Sequence, residues 1–206
     1  MIMTKPPKIT PEVFWSLYSK ALNRYGRFGL YDLSRCKSME PWTESITEIT
    51  KETIKEWSKG DKNVRTGKEY YRVDLVSWYS YWDEQKEKDR QQMWDCLIAF
   101  EHENNKNSWD DELCKLCYIA ADLRILFSYH DFSKPPSIKR LLKDRVDKLT
   151  AKRMNRVPNS SWLFIFGPWD KKNHGKAFQV FTLDGMTVTE IGKNTGESVI
   201  VDKWKK

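Results

Sequence analysis

No apolar run in the chain approaches the roughly 20 residues that a membrane-spanning helix needs, and Met1 to Pro11 holds no hydrophobic stretch of the secretory kind. Cysteine is scarce: four in 206 residues, Cys36, Cys96, Cys114 and Cys117. Only Cys114 and Cys117 stand at the short spacing of a zinc-binding pair, and no second pair completes a ligand set. Small core thiols are the simpler reading, and a chain of this size needs no disulfides. Internal repeats and low-complexity segments are also missing. A hydrophobic fraction of 39% with 14% aromatics excludes disorder. These absences predict a soluble, cytoplasmic protein with no membrane segment, folded as a single domain over residues 1–206.

What is present is positive charge, +7 in formal balance. It is unevenly placed. Between Lys134 and Arg156 nine Lys and Arg residues face only Asp144 and Asp147, a surplus equal to that of the whole chain. A basic segment of this kind suits an anionic partner without selecting one.

Apolar spacing predicts a helix over Ile9 to Tyr25, opened by Thr10 and Pro11, and a second from Trp42 to Trp57 with Thr43 as its cap. Glu44, Glu48 and Glu52 form a stripe on the second helix that reads as a solvated face. Lys59 to Asn63 is a turn. Glu69 to Tyr81 alternates as a strand, and Trp82 to Gln92 is a charged connector. Another strand covers Cys96 to Glu101. A helix follows over Trp109 to Asp122, capped by Ser108, and then a short strand over Leu123 to Tyr129 closes a parallel β-α-β unit. The basic helix runs from Ser137 to Met154. Trp162 to Phe166 is a buried strand, and 177–183 with 187–191 make a hairpin across Asp184-Gly185. The ten tryptophans fall mostly at core positions, although aromatics also suit a binding surface.

Acids interrupt two of the strands. Asp74 stands in the middle of an apolar run, where both propensity and burial disfavour it. Glu101 and Glu103 close the strand Cys96-Leu97-Ile98-Ala99-Phe100. Side chains alternate along a strand, so Glu101 and Glu103 share a face with Leu97 and Ala99, and His102 turns to the other with Cys96, Ile98 and Phe100. Neighbouring buried carboxylates repel unless a cation or a shared proton compensates. Asp74 and Glu101, with a backbone carbonyl, would make an oxygen donor set suited to Mg²⁺.

Asp74 followed by Glu101-His102-Glu103, then a helix and a strand, resembles the PD-(D/E)XK nuclease superfamily, the fold of most type II restriction endonucleases. The likeness spans about residues 42–130. It leaves an N-terminal helical segment, 1–41, and the basic helix and strands of 131–206 unmatched. The resemblance implies an α/β (α+β) fold with a mixed central sheet flanked by helices around a restriction endonuclease-like core. It also implies a Mg²⁺-dependent endonuclease, with Mn²⁺ as a substitute, hydrolysing phosphodiester bonds of double-stranded DNA. Asp74, Glu101 and the His102 carbonyl would bind metal, and Glu103 would serve the attacking water. The family's motif lysine is replaced here by Glu103. In some members that lysine has moved to the following helix, where Lys115 stands. On a helical wheel Lys115 lies with Asp111 and Asp122, and Glu112 lies closer to the apolar stripe. Lys139, Arg140, Lys143, Lys152, Arg153 and Arg156, with Lys171, Lys172 and Lys176 beyond, are the expected phosphate contacts. Cleavage of both strands would imply a homodimer. The other reading is a catalytically inactive nucleic-acid-binding protein on a nuclease-like scaffold.

Overall fold

Thr10 opens the first helix as the sequence predicts: its hydroxyl accepts the Val13 N–H at 3.3 Å and its carbonyl the Phe14 N–H at 2.9 Å, with Pro11 at the first helical position. The computed structural model describes residues 5–28, 40–70, 72–80, 94–104, 109–150, 160–169 and 178–193. Four helices and seven strands are described: α1 (Pro11–Phe28), α2 (Glu40–Trp57), β1 (Val64–Tyr70), β2 (Val73–Ser80), β3 (Trp94–His102), α3 (Trp109–Cys117), β4 (Leu123–His130), α4 (Ile138–Thr150), β5 (Ser161–Pro168), β6 (Gln179–Asp184) and β7 (Thr187–Lys193). The strands form one sheet in chain order, β1 to β7. Parallel pairing joins β3 to β4 and β4 to β5; every other neighbouring pair is antiparallel. The mixed sheet flanked by helices is thus the α/β architecture expected.

The sheet is covered on both faces. Phe14, Tyr18 and Leu22 of α1 and Ile46 and Ile49 of α2 pack with Leu75, Phe100, Ile125, Phe127 and Leu163. On the other face Leu113 and Leu116 of α3 and Ile138, Leu142 and Val146 of α4 pack with Val76, Ala99, Leu126, Phe164 and Phe166. Central parallel strands buried on both sides read as continuous apolar runs. That is why Leu123 to Tyr129 shows no alternation and is buried throughout. α2 buries Thr47, Thr50 and Thr53 without loss, because each hydroxyl donates to the carbonyl four residues back at 2.8 Å.

Several expectations need correction. The single strand over 69–81 is a hairpin, β1 and β2, turning through Arg72 at φ 62°. β1 is an edge strand, so its sequence lacks an apolar rhythm; Gly67 is the residue that lets the Trp78 ring close on it, since a Cβ there would meet the ring at 3.1 Å. α2 begins at Glu40, so Thr43 lies inside the helix instead of capping it. α3 stops at Cys117, five residues before the expected end, and Ala120 is exposed. The faces of the first half of β3 are also exchanged. Ser77 pairs with Ile98 but Trp78 pairs with Cys96, so Leu97 has no partner and forms a bulge. Leu97 consequently joins Ile98 and Phe100 under α1 and α2, and Cys96 turns to the α3 side. No helix among the described residues is long and apolar enough to cross a membrane.

Candidate metal and nucleic-acid site

Downstream of the bulge the register is regular. Leu75 pairs with Phe100 and Val76 with Ala99. One step further sets Asp74, at the start of β2, opposite Glu101, near the end of β3, and residues directly opposite share a face. That face is the one α3 covers. Asp74 is anchored there: its Oδ2 accepts the His102 main-chain N–H at 2.7 Å. Glu101 is fully buried, and neither carboxylate oxygen receives a hydrogen bond of good geometry. Its neighbour is a cation. Lys115 reaches back from α3 to place Nζ 3.5 Å from Glu101 Oε1, an ion pair longer than a hydrogen bond, and it also contacts Glu112 Oε2.

The charges follow from this packing. Burial, then the negative charges of Asp74 and Glu112, push the Glu101 carboxyl up to about 9, against the opposing pull of Lys115. Burial likewise raises Asp74, opposed by the His102 N–H and by the Glu101 carboxyl beside it. Burial alone would lower Lys115, but Glu112 and Glu101 outweigh it and hold the ammonium above the usual lysine value. The site alone therefore keeps a proton between its acids. A divalent cation would meet the same need, so the donor set fits one: a buried, donor-free carboxylate beside a second carboxylate with one oxygen already fixed. Among the described residues no group of three or more His, Cys, Asp and Glu side chains is arranged to hold a metal. Two carboxylates and a carbonyl match an ion that keeps several of its waters.

Asp74, Glu101, His102 and Lys115 are thus brought together. Glu103 lies past the end of β3, half-buried, with its main-chain N–H on the Phe127 carbonyl at 2.9 Å. The acid with the largest influence on Glu101 after Asp74 is Glu112 from α3. His102 serves the site through its backbone alone. Its ring points to the opposite face, where Nε2 lies 2.8 Å from the Tyr129 hydroxyl and burial pushes the imidazole down to about 3, so it is neutral. Sequence reading offers no sign of Tyr129 as its partner. Nor does it show that Asn104 Nδ2 donates to Thr43 Oγ1 at 2.8 Å, tying the exit of β3 to α2.

Of the expected phosphate contacts, Lys139, Arg140 and Lys143 are exposed on α4, on the same side of the sheet as α3, and Arg145 Nε pairs with Asp110 Oδ1 at 2.9 Å across the two helices. Lys152, Arg153, Arg156, Lys171, Lys172 and Lys176 lie outside the described residues. No protein-family model matches the chain, and comparison with curated proteins gave no match.

Proposed function

We propose that the protein is a metal-dependent endonuclease acting on DNA phosphodiester bonds, of the PD-(D/E)XK kind. The observation that carries the reading is the meeting of Asp74 and Glu101 on one face of neighbouring strands, with a lysine ammonium at the second carboxylate. Asp74, Glu101 and the His102 carbonyl would hold Mg²⁺, with Mn²⁺ as a substitute. Bound there, the ion would lower the pKa of a coordinated water and offset charge on the scissile phosphate. The His102 N–H fixes Asp74 through Oδ2. Lys115 offsets the negative charge that develops as the phosphodiester is attacked, and Glu103 orients or deprotonates the incoming water. Lys139, Arg140 and Lys143 hold duplex phosphates and place the strand without reading its sequence. Cutting both strands of a site would call for two copies of the chain.

One observation favours a second reading. Position 103 carries glutamate where the family has its lysine, which suits a protein that binds nucleic acid and no longer cuts it. Plasmid incubated with Mg²⁺ and wild-type protein, Asp74→Ala or Glu101→Ala separates the two. The nuclease reading expects nicking or linearisation by the wild type alone. Cleavage that survives both substitutions overturns the site. DNA binding without cleavage, and without Mg²⁺ or Mn²⁺ heat in calorimetry, selects the second reading.

A further inference from the structure

We infer that Glu112 is a positioning residue: it holds the Lys115 ammonium against Glu101, so that α3 delivers the cation that β3, with glutamate at position 103, does not carry. Only the catalytic consequence of this rests on the nuclease reading. The positioning itself rests on geometry.

Lys115 is a long, flexible side chain, 39% exposed, and left to itself it would extend into water. Its distance of 3.5 Å to Glu101 Oε1 is too long for that contact alone to fix it. Glu112, one helical turn earlier, makes the tighter contact and is itself only 16% exposed. Exposed pairs at this spacing hold side chains loosely. This pair differs because its acid is mostly covered and lies beside Glu101. Leu113 and Leu116, each fully buried and each next in sequence to one member of the pair, seat α3 on the sheet, and from there Lys115 reaches Glu101 of β3. Glu101 meanwhile has no other cation within ion-pair distance among the described residues. Glu112 grips Lys115, Lys115 faces Glu101, and the Glu112 carboxylate also meets the Glu101 carboxyl, so the three side chains form a triangle. Removing the Glu112 charge would free the ammonium and leave the Glu101 carboxyl without a cation beside it.

Two measurements test this, one of them independent of metal and of activity. In metal-free protein at about pH 10, where Glu101 is largely ionised and Lys115 still charged, the coupling between Lys115→Met and Glu101→Gln is read from urea midpoints in a double-mutant cycle, first with Glu112 present and then in the Glu112→Gln background. The near-isosteric amide preserves packing, and circular dichroism checks each fold. The coupling is expected to fall by more than half in the Glu112→Gln background. A coupling that persists unchanged overturns the inference. In Mg²⁺-dependent plasmid cleavage, Glu112→Gln should lower kcat roughly tenfold to a hundredfold, the range seen when a supporting residue is removed, with KM for DNA nearly unchanged. An equal rise in KM with kcat intact would also overturn it. A wild type that cuts nothing, with a coupling that still depends on Glu112, would sink the nuclease reading and leave the positioning intact.

Discussion

Replacing Glu101 by glutamine in metal-free protein should change how stability responds to pH. Glu101 is fully buried, and its carboxyl is raised to about 9 by burial and by the charges of Asp74 and Glu112. In the unfolded chain a glutamate titrates at about 4.3. Between those values the native state binds a proton that the unfolded state has released. A raised folded-state pKa contributes stability that is complete below the unfolded value and disappears as pH climbs through the folded one. The limiting slope is about 1.4 kcal/mol per pH unit, and integration from pH 7 to pH 9 gives a loss of roughly 2 kcal/mol. Glutamine keeps the shape and cannot ionise. Glu101→Gln should therefore gain roughly 2 kcal/mol on the wild type between pH 7 and pH 9, whatever their difference at pH 7. Urea unfolding in EDTA at the two pH values measures it. Parallel curves, with the wild-type-to-variant difference constant across the range, would refute a buried, proton-holding carboxyl.

Two further outcomes follow from the same packing. Leu113→Ala removes the fully buried side chain that seats α3 on the sheet and should destabilise by about 2–5 kcal/mol, read from urea midpoints; a change well below that range would mean α3 is held by other side chains. Neutralising Lys139, Arg140 and Lys143 together should flatten the plot of log DNA affinity against log salt by about 0.9 for each phosphate no longer neutralised, as followed by fluorescence anisotropy; an unchanged slope would move the DNA off α4.

The candidate site was more legible than the strand that carries it. Asp74 could be picked out because an acid inside an apolar run conflicts with its neighbours, and that conflict survives any error in strand boundaries. Glu101 could be placed by alternation from Ala99, and the bulge at Leu97 lies upstream of both, so it exchanges the faces of Cys96 and Leu97 and leaves the acid where expected. A bulge depends on pairing with the partner strand, which no count along one strand contains. β1 escaped for a related reason: an edge strand needs few apolar residues, and its close fit to Trp78 is a property of two strands together. The α3 residues illustrate a different limit. A helical wheel gives the angle of a Cα and not the reach of the side chain on it. Lys115, counted on the polar side, bends back to Glu101, and Glu112, counted near the apolar stripe, meets it there. The wheel sets the two as alternatives; the helix presents them as a pair, because residues three apart lie on neighbouring turns of one face. What sequence could not supply was the cation's route to the acids, and that route crosses from one element to another.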